Sequence, residues 1–444
     1  MSDSGADLHR WASDLFPICR SLTGDGVRET LAYLGELLPG LQVHEVPTGT
    51  AAFDWTVPQE WRIRDAYVAD LDGRRLIDFR ESNLRVLGYS EPVDAMLSRE
   101  ELEPHLHSLP GQPDAIPYVT SYYRRRWGFC LSQRERDALG DGPFRVVIDS
   151  DLFDGHLTYA DLVIPGESEQ EVLFSTYICH PSLANNELSG PVVQTALARA
   201  ILERPSRRYT YRLVFIPETI GSLIYLSRHL AELREETVAG WVLTCVGDER
   251  AWSLLPSRRD GTLADRVSRA VLSSREGVTE YSWLTRGSDE RQYGAPGVDL
   301  PVASIMRSKY TTYPEYHTSL DDLSLITPAG LEEALGAYLD CVEALESNGS
   351  WRATVLGEPQ LSPRNLYPDL SIKGPRGLDA TTLLLHCLTY ADGDHDLIEV
   401  ATICKAPVGA VAQTYALLLE HGLVEPVHTE PPRPPRWEGE VERQ

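Results

Sequence analysis

The stretch EVLFSTYICHPSLANNELSG, residues 171–190, decides how the rest of the chain is read. Val172, Leu173, Phe174, Thr176, Tyr177 and Ile178 make an apolar, β-branched and aromatic run, the pattern of a strand buried on both faces. Pro181 ends it, because proline cannot donate to a sheet ladder. A polar loop follows, carrying Asn185, Asn186, Glu187 and Ser189. Pro191 then opens a helical pattern (Val192, Val193, Ala196, Leu197, Ala200, Ile201) at a position where a missing N–H costs nothing. A His, two Asn and a Glu are thereby concentrated at the carboxyl end of a buried strand, where open α/β sheets place their ligand sites. The plainer alternative is a polar connection with ordinary capping residues.

Outward from this stretch, strand-like runs at 144–148, 157–164, 209–216, 241–246 and 302–306 alternate with helical patterns at 191–204, 220–233, 262–274 and 328–346. Such alternation predicts an α/β fold, a mainly parallel sheet with helices on both faces. Two helices joined by Gly24 and Gly26 are expected within residues 5–37. Arg20, in the turn between them, reads as a surface charge, with an anion hook as the alternative. From about residue 44 to 139 the chain breaks into short strand-like pieces separated by Gly, Pro and Asp, a β-rich inserted module. Its aromatics (Trp55, Trp61, Tyr118, Tyr122, Tyr123, Trp127) are expected mainly as core. The run SYYRRRWGFC (121–130) stands apart, since three adjacent Arg are hard to bury, and it suggests a wall or lid over an anionic substrate. Residues 351–375 read as a linker. Residues 376–444 hold three helical patterns, a short strand pair and a Pro-rich tail, which describes a winged helix-turn-helix. Its recognition-helix position, APVGAVAQTYALLLEHG, carries almost no positive charge. Protein contact or homo-oligomer formation is therefore expected of it in preference to DNA reading.

Bulk properties narrow the classes of function. At 444 residues the chain exceeds a single core. Its formal charge of −25 argues against a nucleic-acid backbone or an anionic membrane as the main partner. The amino terminus has no apolar signal-peptide core, and no apolar run reaches the length of a membrane span. Seven Cys without paired spacing suit free thiols in a cytoplasmic protein.

Polar groups recur where the predicted strands end: His180, Asn186 and Glu187 after one, Glu218 after a second, Asp248 and Glu249 after a third. His317 lies in the loop after 302–306. Parallel strands bring such ends to one edge. Two His and a carboxylate around an open position are the ligands of a mononuclear hydrolytic zinc centre, with a further carboxylate as general base. The order His180, NELSG (186–190), FIPETIGS (215–222), His317 resembles the zinc aminopeptidases, a superfamily that includes glutaminyl cyclase. Across nearly its whole length the chain is also similar to bacterial aminopeptidase-like proteins with a β-rich insertion and a carboxy-terminal winged helix. The resemblance implies an aminopeptidase-like catalytic domain in residues 1–43 and 140–350, and Glu218 as general base.

Departures from the family pattern alter what it implies. Asn186 stands at the bridging-Asp position of the "D-N-x-S-G" motif, Thr219 at the second Glu of "E-E-x-G", and Thr244 where a strand-end Asp is expected. One zinc per chain, held by His180, His317 and Glu187, is therefore expected in place of two. Asn186, Asp248 and Asp321 are candidates for further ligands or for orienting acceptors, Asp321 toward His317. Asp289, in a loop similar to the family's "S-D-x-x-x-F", together with Arg291, Arg307, Tyr123 and Trp127, is a candidate for substrate binding. The resulting expectation is a zinc-dependent hydrolase of a peptide or amide bond in a small, anionic substrate. Two alternatives stand beside it: single-zinc cyclisation as in glutaminyl cyclase, and a non-catalytic binding or assembly protein.

Overall fold

The structure is a computed structural model that describes residues 3–366 and 380–427. An eight-stranded sheet forms its centre. The strands lie in the order Gln42–Pro47, His156–Ile164, Thr210–Ile216, Glu171–Tyr177, Thr237–Val242, Val302–Met306, Trp252–Leu255 and Val278–Glu280. The four middle strands, from Thr210–Ile216 to Val302–Met306, are mutually parallel. Antiparallel pairings flank them on both sides. Every residue of Glu171–Tyr177 is buried, as a strand covered on both faces requires.

Alternate side chains of that strand serve two different cores. Val172 and Phe174 pack with helices Gly5–Leu15, Asp25–Leu37, Ser189–Glu203, Leu263–Leu272 and Pro328–Ser347. Leu173 faces the opposite layer, which is built from helix Ile220–Glu236 and the inserted module. The chain is thus α/β with helices on both faces of the main sheet, the second face being shared with the insertion.

Three boundaries differ from those expected. The insertion's own sheet has the order Arg75–Asp78, Glu60–Ala69, Phe144–Phe153, Val93–Leu97, so 144–153 belongs with the insertion and not with the central sheet. Gln42–Pro47 conversely is an edge strand of the central sheet, paired with His156–Ile164. The burial of Phe144–Phe153 alternates along most of its length, as in a half-covered strand, whereas Glu171–Tyr177, Thr237–Val242 and Val302–Met306 inside the central sheet are buried at every residue. At the carboxyl end, Ser350–Ala353 is the middle strand of a three-stranded sheet with Asp392–Asp396 and Val424–Val427. Residues 351–353, expected at the start of a linker, are therefore part of the winged-helix module. Trp351 fixes this strand by stacking on Tyr415 at 4.3 Å, and a four-residue strand shows no periodicity of its own. Of the rest of the expected linker, residues 354–366 are described and 367–375 are not, and the tail at 428–444 also lies outside the described residues.

Helices Ala380–Thr389, Leu397–Cys404 and Val408–Glu420 complete that module. Leu397–Cys404 packs on Leu263–Leu272, and Val408–Glu420 on Pro328–Ser347. Among the described residues no single helix is long and apolar enough to cross a membrane. All seven cysteines are free thiols.

Candidate functional site

The strand Glu171–Tyr177 delivers His180 to the carboxyl edge of the sheet, and Ala184–Leu188 follows as one turn of π-helix before the helix Ser189–Glu203. Such wide turns leave backbone groups short of partners and recur at functional sites. Here Asp321 supplies the partners. Its carboxylate accepts from the backbone N–H groups of Ala184, Asn185 and Asn186 at 3.1, 2.6 and 3.0 Å, and from the Tyr313 hydroxyl at 3.0 Å. Gly190 lies against the next strand's end, where an added Cβ would fall 2.4 Å from the Leu243 carbonyl oxygen.

The two nitrogens of the buried His180 ring face different groups. Nδ1 donates to Glu187 Oε2 at 2.6 Å, and Nε2 lies 3.5 Å from Glu218 Oε2. Glu187 is fully buried behind the ring, and its Oε1 makes no hydrogen bond. Arg20 closes this rear wall. Its Nε donates to the His180 carbonyl at 3.1 Å and lies 3.9 Å from Glu187 Oε1, while its Nη1 donates to the Leu15 carbonyl at 2.7 Å. A residue expected on the surface is therefore among the most enclosed charges in the protein.

Glu218 follows the strand Thr210–Ile216, and its side chain is 20% exposed, the more open of the two carboxylates beside His180. Burial and the neighbouring Asp289 charge push its carboxyl well above the usual range, with Arg291 opposing. Thr219, with φ +66°, turns the chain into helix Ile220–Glu236. Asp289 caps this turn, accepting from the Thr219 N–H at 2.7 Å and from the Ser222 hydroxyl at 2.8 Å, while Arg291 donates to the Thr219 hydroxyl. Asp289 and Arg291 thus brace the Glu218 turn.

His317 lies in the loop after the strand Val302–Met306, two places from Glu171–Tyr177 in the sheet, and has a left-handed conformation, φ +55°. Its ring stacks on Tyr316 at 3.9 Å and lies 5.4 Å, centroid to centroid, from His180. The insertion holds the loop in place: the Tyr118 N–H donates to the His317 carbonyl at 2.8 Å and the Ser319 N–H to the Ile116 carbonyl at 2.8 Å. The Tyr118 ring sets its edge against both imidazoles, at 5.0 Å from His180 and 5.2 Å from His317. Tyr118 is a site residue that the sequence reading assigned to the core. Its place in an aromatic run with Tyr122 was the available signal.

Burial keeps both imidazoles neutral. His180 is pushed down to about 3 by desolvation and then by the Arg20 charge, and His317 to about 3 by desolvation and then by His180. Two imidazoles sharing one tetrahedral ion at Zn–N distances of about 2.0 Å would have centroids roughly 5 Å apart, which the observed separation fits. On the Nε2 side the oxygen at hand is that of the Glu218 carboxylate; Asn186 Oδ1, on the turn that follows, is buried without a hydrogen-bond partner.

Other expected site residues are placed elsewhere. Asp248 accepts from the Asn185 side chain at 3.0 Å, from the Ser308 N–H at 3.0 Å and hydroxyl at 2.9 Å, and from the Arg250 N–H at 2.8 Å, so it braces loops and has no free face. Asp321 caps the π-turn and does not touch His317. Arg307 donates to the Ala251 carbonyl, pairs with Glu333 and lies over the Trp252 ring, a structural role within the fold. Trp127 stacks on His105 at 3.5 Å, inside the insertion. Tyr123 stands at a separate cavity of that module. Glu187, expected as a metal ligand, does lie beside His180: it meets Nδ1, and with Cys179 the two offer ligand atoms within 4.8 Å of one another, while Glu218 faces the other nitrogen of the ring. Thr244 binds the Asn186 carbonyl at 3.0 Å and the Tyr177 hydroxyl at 2.5 Å. The Asn186 amide donates to that same Tyr177 hydroxyl at 2.7 Å.

Comparison with known proteins places this architecture. A family model described as "Domain of unknown function (DUF4910)" matches residues 9–348, and one described as "winged helix-turn-helix" matches residues 349–426. A relative from Clostridium acetobutylicum, described as "Putative polysaccharide biosynthesis protein with aminopeptidase-like domain", is 42% identical over 405 residues, covering 90% of this chain and 92% of its own. The crystal structure of a "putative peptidase" from Clostridium acetobutylicum superposes with a TM-score of 0.87 at 38% identity, over 95% of this chain and 96% of that one. A zinc aminopeptidase from Bacillus subtilis shares the fold at 12% identity, with a TM-score of 0.56 over 77% of this chain and 94% of that one. The chain belongs to the family described as "Domain of unknown function (DUF4910)", an aminopeptidase-like protein whose core has the zinc-peptidase fold and whose carboxyl end carries a winged helix-turn-helix.

Proposed function

We propose that this chain is a zinc-dependent hydrolase that cleaves a peptide or amide bond in a small substrate. The observation that carries the proposal is the pairing of two neutral imidazoles, His180 and His317, 5.4 Å apart, with the partly exposed carboxyl of Glu218 lying 3.5 Å from His180. The aminopeptidase-like description of the Clostridium relative supports the same class. His180 through Nε2 and His317 would hold the ion. Glu187 orients the His180 ring from behind, as acceptors do for metal-binding imidazoles. Zinc, when bound, supplies Lewis-acid polarisation of the scissile carbonyl.

Glu218 takes a proton from the attacking water and returns it to the leaving amine, and a carboxyl held above its usual range is the stronger base for this work. Tyr118 shields the imidazole pair from bulk solvent. One ion is the stoichiometry proposed. At the positions where the family pattern implies further ligands, Asn186, Thr219 and Thr244 are engaged with Tyr177, Asp289, Arg291 and one another. Nucleic acid is not a proposed partner. A reducing, cytoplasmic setting is proposed from the free thiols.

Metal analysis of the purified chain should give about one zinc per chain, lost in His180→Ala. Glu218→Gln should keep the zinc and lower turnover of a responsive peptide or acyl-amide by about 100-fold or more. Absence of zinc from the native chain, or full activity in Glu218→Gln, would overturn the proposal. The product's mass separates hydrolysis, which adds a water, from cyclisation, which expels one or expels ammonia.

A further inference from the structure

The inserted module contains a cavity of about 160 Å³ whose lining includes Gln59, Tyr89, Tyr122, Tyr123, Arg124 and Arg125. We propose that this cavity is the subsite for an anionic, ring-bearing portion of the substrate, an assignment that rests on the hydrolase reading above for its link to catalysis. Tyr122 joins the two places. It lines the cavity, and its hydroxyl lies 3.4 Å from that of Tyr118, whose ring abuts both imidazoles. A substrate with its amide at Glu218 would therefore have its far end one tyrosine pair away.

Ring recognition follows from the exposed aromatics. Tyr123 is 52% exposed and meets Trp55, itself 38% exposed, edge to face at 5.4 Å. Its hydroxyl is anchored on the Thr56 carbonyl at 3.1 Å, which leaves the ring face free to stack. Anion recognition follows from the arginines. In a chain of net charge −25, residues 124–126 are three consecutive exposed Arg. Arg124 has no acidic partner among the described residues. Arg125 binds Gln59 and meets Glu91 only at 3.8 Å, and Arg126 donates to the Thr120 carbonyl at 3.2 Å. Two of the three, Arg124 and Arg126, have no carboxylate partner among the described residues, so the local field attracts anions against the protein's overall charge. Planar guanidinium groups bind a carboxylate or phosphate in bidentate fashion. The cavity's size suits a single substituted ring.

The test uses the full chain, freed of metal by a chelator so that binding is read without turnover. Two matched probe pairs are titrated by calorimetry: D-glucuronate against D-glucose, and benzoate against benzamide. In at least one pair the acid should bind about tenfold tighter than its neutral partner. Its affinity should fall as salt rises from about 0.05 to 0.5 M. The pair showing the effect tells a sugar acid from an aromatic acid. Arg124→Ala should remove the acid's advantage and Tyr123→Ser should weaken both members of the pair, each with an unchanged circular dichroism spectrum. Equal binding of acid and neutral partner in both pairs, no acid binding, or an unaltered preference in Arg124→Ala would overturn the assignment. Glu218→Gln should leave probe binding unchanged. Failure of this subsite is therefore read apart from failure of the hydrolase reading, which zinc content and turnover report.

Discussion

The rear wall of the site is a problem of buried charge. Arg20 and Glu187 are both fully enclosed, 3.9 Å apart, and His180 is held between them through its carbonyl and its Nδ1. Removing one member of such a pair leaves the other uncompensated, at a cost of about 3 kcal/mol or more. Arg20→Met should show that loss in urea unfolding. Arg20→Lys should recover only part of it, since an ammonium cannot reproduce the fork that reaches both the Leu15 and His180 carbonyls. A change within experimental error in Arg20→Met would mean that the pair carries no stability. The imidazoles add a pH dependence whose sign is fixed. Their folded values, about 3, lie below the ordinary value of 6.5, so the unfolded chain takes up protons that the folded one refuses. This contribution is fully present above about pH 6.5 and declines as pH falls toward 3. The raised carboxyl of Glu218 acts in the opposite sense, so the imidazoles are read as a difference: between about pH 7.5 and 5 the chelator-treated chain should lose more melting temperature, or gain less, than a His180→Gln, His317→Gln double variant. Equal slopes would refute the burial of the imidazoles.

Among the elements, the strand–turn–helix of residues 171–203 was the most legible part of the sequence. A fully covered strand appears as an unbroken apolar run, and Pro181 and Pro191 punctuate its exit and the helix entry. The turn between them was less legible. Nothing local announces that Asp321 caps it, because the acceptor arrives through tertiary folding from far along the chain. The same limit explains Asp248, Arg307 and Arg20, whose roles depend on partners that pattern and propensity do not reveal. Domain edges failed for a different reason. Phe144–Phe153 alternates in burial like many strands, and the alternation does not state which sheet receives it. Gly190 tests how tightly this element is packed. Gly190→Ala would force a methyl against the Leu243 carbonyl and the Thr176 hydroxyl, both 2.4 Å away. An overpacking cost of about 1–3 kcal/mol is expected in denaturant unfolding, with weaker zinc retention because Gly190 opens the helix that follows directly on the turn carrying Glu187. An unchanged midpoint would show that the helix can shift away from the strand freely.

Taken as a whole, the molecule uses its insertion as part of the site and not merely as a cover. One layer of helices supports the sheet from one side, while the opposite layer is shared by helix Ile220–Glu236 and the inserted module. From that second layer, residues 116–118 reach the loop of His317. The Ile116 N–H donates to the Ser319 hydroxyl at 3.0 Å, Pro117 bridges Thr318, and the Tyr118 N–H holds the His317 carbonyl. His317 occupies a left-handed conformation that a non-glycine residue keeps only when its surroundings impose it. The insertion thus imposes the geometry of one imidazole, and the central sheet that of the other. If both grip one ion, the two layers are coupled through it, and removal of zinc should loosen their junction first. Hydrogen exchange followed by mass spectrometry should show faster exchange at 116–121 and 316–319 after chelation. The sheet formed by 60–69 and 144–153 should stay as protected as before, because its hydrogen bonds lie within the module. The same pattern should appear in zinc-treated His180→Ala without any chelator, since His180 touches neither segment through the backbone. Uniform exchange across all four segments on chelation would mean that the His317 loop is held by the insertion alone and that the ion adds nothing to the joint.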